Sequence, residues 1–203
     1  MTKIKFCGLK REEDILACNK IRPEYIGFVF WEKSSRNISF FRARELKALL
    51  DPSISAVGVF VDEKLDVVKS LLDEGTIDIA QLHGTEDEEY ISKLQKLTGK
   101  PVIKAFKIRD ESDADRARKS NADYILLDSG MGTGKAFDWS LLDDIERPFF
   151  LAGGLSCDNA AEAVRNLHPF AVDVSSGIET DGVKDRKKME EFASIVRKED
   201  VYD

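Results

Sequence analysis

Eight short apolar runs, starting 21 to 30 residues apart, recur along the whole 203-residue chain. They begin at Lys3 (KIKFCG), Tyr25 (YIGFVF), Ser55 (SAVGVFV), Asp78 (DIAQLHG), Pro101 (PVIKAFKI), Ala122 (ADYILLDS), Pro148 (PFFLAGG) and Pro169 (PFAVDVSS). Each is rich in β-branched or aromatic residues, the composition expected of strands buried on both faces.

Amphipathic stretches fill the intervals. Phe40–Asp51 and Glu63–Glu74 place Leu and Val at helical spacing beside charged positions. Asp87–Leu97, Glu111–Ser120, Asp158–Leu167 and Arg186–Arg197 read the same way, and Arg11–Ile21 is a weaker helix in its slot. Ser39 and Asp158 are the predicted N-caps of two of them. Eight strand–helix units predict an all-parallel α/β architecture, with an open doubly wound sheet as the competing layout. Eight units complete one circuit, and no composition break, linker or low-complexity tract divides them. The predicted fold is therefore a closed eight-stranded parallel (β/α)8 barrel, one domain over residues 1–203, with brief loops.

Composition narrows the function. Hydrophobic residues make up 42% and charged residues 34%, enough for a buried core inside a polar surface. A net charge of -7 runs against phosphate-backbone contacts, so nucleic acid is not an expected partner. The same charge repels an anionic small molecule at long range, so any phosphate must be held locally, by backbone N–H groups and a few placed cations. The three cysteines Cys7, Cys18 and Cys157 show no metal-ligand spacing and read as reduced thiols. The chain opens directly into its first strand without a signal-peptide core. No apolar run approaches the ~20 residues that would cross a bilayer. The expectation is a cytoplasmic protein with no membrane partner.

In a (β/α)8 barrel the active site lies at the C-terminal ends of the strands. Polar and glycine residues gather at those ends: Cys7-Gly8, the segment after Phe30, Gln81-Leu82-His83-Gly84, Lys104, Asp128, Gly153-Gly154 and Ser175-Ser176-Gly177. Their order and spacing carry a resemblance over nearly the whole chain. Lys5-Phe6-Cys7-Gly8-Leu9, Lys33-Ser34-Ser35-Arg36, Val57–Val61, Gln81–Gly84, Leu127-Asp128, Gly132-Thr133-Gly134-Lys135 with Phe137-Asp138-Trp139, Leu151–Leu155 and Asp173–Glu179 follow one another as they do in phosphoribosylanthranilate isomerases, which the chain closely resembles. Phe6, Ser35 and Met131 depart from the family's usual Ile, Pro and Gly.

The resemblance implies an Amadori rearrangement. N-(5-phosphoribosyl)anthranilate opens its furanose ring to an iminium, loses the proton on C2 and relaxes to the aminoketose. This needs an acid at the ring oxygen and a base at C2, with no metal and no cofactor. The family's strand-one cysteine falls on Cys7, the candidate base, which requires a lowered pKa or favourable charge to supply thiolate at neutral pH. Asp128, at the end of an apolar run, is the candidate acid, whose protonated form partial desolvation would favour. The phosphate is expected on Gly153-Gly154 and Ser175-Ser176-Gly177, and the anthranilate carboxylate on Arg36. Asp173, two residues before Ser175 and on the same side of its strand, is a binding candidate. His83 is a candidate site wall, and His168 a structural histidine. The implied partner is the phosphosugar, acted on by a monomer or homodimer.

Two rivals differ at named residues. A histidine-pathway isomerase would carry aspartates on strands one and five, and indole-glycerol-phosphate synthase a lysine and glutamate set that is not evident. A non-catalytic phosphosugar-binding barrel would need neither Cys7 nor Asp128.

Overall fold

The computed structural model describes residues 1–128, 139–142 and 145–199. Eight parallel strands form a closed barrel: β1 (Lys3–Cys7), β2 (Tyr25–Val29), β3 (Ser55–Phe60), β4 (Ile79–Leu82), β5 (Val102–Lys107), β6 (Tyr124–Asp128), β7 (Phe149–Ala152) and β8 (Ala171–Val174). Each pairs with its sequence neighbour, and β1 closes the ring against β8. In that closing register Lys5 lies opposite Asp173. The open-sheet alternative is thereby excluded.

Among the described residues, seven α-helices pack outside the ring: α1 (Glu12–Ile21), α2 (Phe40–Leu49), α3 (Leu65–Asp73), α4 (Glu88–Thr98), α5 (Glu111–Arg118), α6 (Ala160–Leu167) and α7 (Arg186–Glu199). Between β6 and β7 the described residues hold a 3-10 turn at Trp139–Leu142 in place of an α-helix. No helical pattern was legible there, and the Gly132–Trp139 motif lies, but for Trp139, outside the described residues. A two-stranded hairpin, β9 (Glu179–Thr180) and β10 (Val183–Lys184), stands between β8 and α7.

Helix ends follow local chemistry. Ser39 caps α2 as expected, its side chain accepting from the Arg42 N–H. Asp158 does not cap α6; the N-cap is Asn159. The Asn159 amide is engaged instead on the loop before it, accepting from Ser156 N at 2.9 Å and donating to Gly154 O at 3.0 Å. His168 ends α6 in the left-handed region, with φ 42°.

The core has two concentric parts. Between strands and helices lies the larger one, with Phe6, Phe28, Phe60, Leu82, Leu127 and Phe192 fully buried. Inside the ring a smaller cluster holds Tyr25, Val57, Ile79, Ile103, Leu126 and Phe150. Period-two alternation explains the division, since every second residue of a barrel strand faces inward. On β1 those residues are Lys3, Lys5 and Cys7; on β6 they are Tyr124, Leu126 and Asp128.

Candidate active site

Inward-facing residues at the C-terminal ends of every barrel strand but β5 open into one cleft of about 440 Å³. Cys7, Arg36, His83, Asp128, Gly153, Gly154, Asp173, Ser175 and Ser176 all line it, so nine of the predicted site residues converge although they span most of the chain. Gln81 lines it as well. A second cleft of about 750 Å³ adjoins it, sharing His83 and Asp128 and walled by Lys107, Arg109 and Lys119.

Cys7 is the last residue of β1 and is buried. Room for its sulfur comes from β2, where Gly27 stands opposite; a Cβ there would sit 2.8 Å from Sγ. Burial pushes the Cys7 thiol up from its ordinary value, Lys5 and Lys184 oppose that shift, and Asp173 adds to it. Of the two conditions the sequence reading set, a lowered value or a favourable charge, the net direction is upward while Lys5 and Lys184 supply the favourable charge. The Cys7 backbone carbonyl accepts from the Ser175 hydroxyl at 3.1 Å, which ties the thiol's strand to the β8 loop.

Asp173 proves to be half of a buried ion pair. Its Oδ2 accepts from Lys5 Nζ at 2.8 Å, with the Lys5 side chain wholly buried. Its Oδ1 has no partner among the described residues. Burial by itself would lower the Lys5 pKa, but the Asp173 carboxylate and the nearby Cys7 override it, and the net direction is up. Lys5 was missed as a functional residue: a lysine on an apolar strand gives no sign of its partner 168 positions away.

Arg36 reaches the cleft from the loop after β2, and its fork is already engaged. Nε and Nη2 donate to the two oxygens of Glu179, each at 2.7 Å. Glu179 Oε1 also accepts from Lys184 Nζ at 2.7 Å, and Lys184 donates to Ser175 O at 2.9 Å. Despite the cost of burial, Arg36 and Lys184 hold the Glu179 carboxyl down at about 2. Two cations around one carboxylate leave this corner with a net positive charge. Neither Glu179 nor Lys184 was anticipated as a site residue, although Glu179 closes the last quoted motif.

His83 follows β4 directly. The Gln81 amide nitrogen lies 3.0 Å from His83 Nδ1; with that amide donating, the neutral ring carries its proton on Nε2. The ring's outer side is exposed, but crowding strips water from the rest and lowers its pKa, against Asp128 and Asp173, which raise it. Gln81 is buried and its Oε1 has no partner among the described residues. Lys104, expected at a strand end, lies inside β5 on the outer face. It binds Gly84 O at 2.7 Å and Glu86 Oε2 at 2.9 Å, bracing the loop that follows His83.

The two glycine and serine loops meet. Gly153 and Gly154 have φ of 96° and 72°, a region open mainly to glycine. Gly177 does not line the cleft as expected. It forms a parallel bridge with Ser156, and a Cβ on it would lie 1.9 Å from the Leu155 carbonyl oxygen. Its role is to let the β8 loop press against the β7 loop, which sets Ser175 and Ser176 facing Gly153 and Gly154.

The N-(5'-phosphoribosyl)anthranilate (PRA) isomerase family model matches residues 4–194. The chain belongs to the phosphoribosylanthranilate isomerase family. A relative from Endomicrobium trichonymphae, named N-(5'-phosphoribosyl)anthranilate isomerase, is 48% identical over 97% of this chain and 99% of its own length. Among solved structures, a phosphoribosylanthranilate isomerase in complex with reduced 1-(o-carboxyphenylamino)-1-deoxyribulose 5-phosphate superposes with a TM-score of 0.86. It is 36% identical, covering 98% of this chain and 100% of that one. Monomers generated from the dimeric isomerase of Thermotoga maritima match with a TM-score of 0.87, the same identity and the same coverage. Family, fold and strand-end motifs agree, as the resemblance implied.

Proposed function

We propose that the cleft binds N-(5-phosphoribosyl)anthranilate with its phosphate at Gly153-Gly154 and Ser175-Ser176 and its carboxylate toward Arg36. The chain is a phosphoribosylanthranilate isomerase, catalysing the aldose-to-ketose rearrangement of tryptophan biosynthesis. The roles below are our assignment of that chemistry to residues. What carries it is the convergence on one cleft of a thiol on β1, a carboxyl on β6, a cationic corner at Arg36 and two glycine-serine loops after β7 and β8.

Asp128 gives a proton to the ring oxygen as the amine nitrogen expels it and the iminium forms. Cys7 thiolate then takes the proton from C2, and the resulting enolamine relaxes to the aminoketose. The two groups stand on strands one and six, so they approach the sugar from different sides of the mouth. Asp173 Oδ1, the unpartnered oxygen in the floor of the cleft, suits a substrate hydroxyl. His83 offers Nε2–H from the rim. Arg36 keeps Nη1 for the substrate carboxylate while Glu179 steadies its other edge. The whole chain acts as one barrel domain, in the cytoplasm, as a monomer or homodimer; a barrel that merely binds phosphosugar would have no use for Cys7 and Asp128 together.

A fluorescence assay with freshly generated phosphoribosylanthranilate tests the assignment. Cys7→Ala and Asp128→Asn should each lower kcat by ~10²-fold or more with little change in KM, because each acts chiefly in the transition state. Cys7→Ser should fare little better than Cys7→Ala, since a hydroxyl is far too weak an acid to give the base. Near-wild-type kcat in both folded variants would sink the mechanism.

A further inference from the structure

Lys5 is the interior charge that the reaction above leaves without a task. It lies in the middle of β1, wholly buried. The inward residues around it are mostly apolar, with Val57, Ile103, Leu126 and Phe150 arriving from β3, β5, β6 and β7. A buried ion pair in such surroundings is often no more stabilising than well-packed apolar residues of the same volume. Stability alone therefore gives little reason for Lys5 and Asp173.

Position gives a better one. Lys5 and Cys7 are two residues apart on one strand, so both side chains leave β1 on its inner face, the ammonium one pleat deeper than the thiol. An ammonium has three N–H donors. Asp173 Oδ2 takes one at 2.8 Å, and the ammonium is close enough to Cys7 to favour its charged form. We propose that Lys5 is the positioning residue that favours the thiolate of Cys7 for proton abstraction, with Asp173 as the counter-ion that keeps Lys5 charged inside the barrel.

The other charges facing Cys7 are differently placed. Lys184, on β10, is committed to Glu179 and Ser175, and Arg36, after β2, to Glu179. Asp128 on β6 and His83 after β4 face the open cleft. Asp173, on β8, is the negative charge that works against the thiolate, and burial works in the same direction. Lys5 is the cation set against both. Lys5 thus makes the buried thiol easier to ionise than the same thiol would be without it.

The inference rests on Cys7 being the base, so the test reads Cys7 ionisation separately from turnover. Alkylation of Cys7 by iodoacetamide would be followed by peptide mass spectrometry between about pH 6 and 10, since the thiolate is the reacting form. Wild type would be compared with Lys5→Met, Lys5→Arg and Asp173→Asn, with kcat and KM measured across the same range. Lys5→Met should raise the alkylation midpoint by about one pH unit or more, lower kcat near neutral pH about tenfold, and recover activity as pH rises. Its KM should stay within about twofold of wild type. Lys5→Arg should return most of the shift, and Asp173→Asn should move the midpoint downward.

A folded Lys5→Met with the wild-type midpoint would overturn the proposal, as would a kcat loss with an unchanged pH profile. A change confined to KM would make Lys5 a sugar contact instead. If Lys5→Met does not fold, Lys5→Gln takes its place, and a wild-type midpoint in that variant is the refuting result. Full activity in Cys7→Ala, with the alkylation shifts intact, would remove the base assignment while leaving the coupling of Lys5 to Cys7 standing.

Discussion

The same eight strands build two unlike interiors, an aromatic floor at their N-terminal ends and a charged mouth at their C-terminal ends. On the floor Tyr25, Tyr124, Phe150 and Phe170 stack with ring centroids 5.0 to 5.8 Å apart, and Lys3 lays its ammonium 4.3 Å from the centre of the Phe170 ring. At the mouth Arg36, Glu179, Lys184 and Ser175 form a chain of polar contacts, with Lys5, Asp173 and Gln81 beneath it. The floor is satisfied by its own contacts. The mouth keeps unpartnered atoms, Oδ1 of Asp173 and Oε1 of Gln81, that a ligand can complete. Buried acceptors without partners cost folding free energy, so the floor must supply stability that the mouth spends. Floor variants should then change stability and leave kinetics alone, and mouth variants the reverse.

The largest expected effect is on the floor. Phe150 is fully buried and touches Tyr25, Tyr124 and Phe170. Phe150→Ala should cost ~3–5 kcal/mol by chemical denaturation, through lost burial and the cavity left behind. The folded fraction should keep its kcat and KM. A fall in kcat without loss of stability would erase the distinction between the two ends.

Gly177 sits where the mouth depends on packing. A methyl group 1.9 Å from the Leu155 carbonyl oxygen cannot be accommodated without parting the β7 and β8 loops. Gly177→Ala should therefore destabilise by ~1–3 kcal/mol, the range typical of overpacking. It should also raise KM, because the loops proposed to hold the phosphate move apart. Unchanged KM, checked by titration with inorganic phosphate, would place the anion elsewhere.

Arg36→Met tests the cationic corner. Carboxylate anchoring is made equally in ground and transition states, so KM should rise ~10-fold while kcat holds. An unchanged KM would remove Arg36 from the substrate and leave it as a partner of Glu179 alone.

How far these two ends could be read from the sequence follows from what each is made of. The strands were legible because burial on both faces leaves an apolar run, and the positions of Cys7 and Asp128 because they close such runs, while the roles proposed for them come from the family resemblance. The Lys5–Asp173 pair was not, since barrel closure alone brings β1 against β8. Glu179 and Arg36 are 143 positions apart and meet through a two-residue-stranded hairpin that no hydrophobic period announces. Gly177 was picked out as a phosphate contact, and its approach to the Leu155 carbonyl was not legible, because a glycine's sequence neighbours do not show which backbone it must approach. Asn159 in place of Asp158 is a one-residue error of a familiar kind, as both side chains can cap.

The smallest effect expected is an acid-side change at Glu179, and its direction follows from the sign of its shift. Its carboxyl is held at about 2 in the folded protein, below the ordinary 4.5, mainly by the Arg36 and Lys184 hydrogen bonds that outweigh burial. A depressed folded value means that the carboxylate stabilises the fold above the unfolded value near 4.5. That contribution is lost as pH falls from there through about 2. Glu179→Gln removes the titration, so stability should become flatter across that window, by on the order of 1 kcal/mol once solvent at the mouth is allowed for. Near neutral pH the variant should instead be the less stable protein, because Arg36 and Lys184 lose their shared counter-charge. Urea denaturation at several pH values, wild type against Glu179→Gln, measures both. Parallel stability curves from pH 7 down to pH 3 would show that Glu179 does not couple folding to acid. The charged mouth would then owe its acid behaviour to other carboxylates.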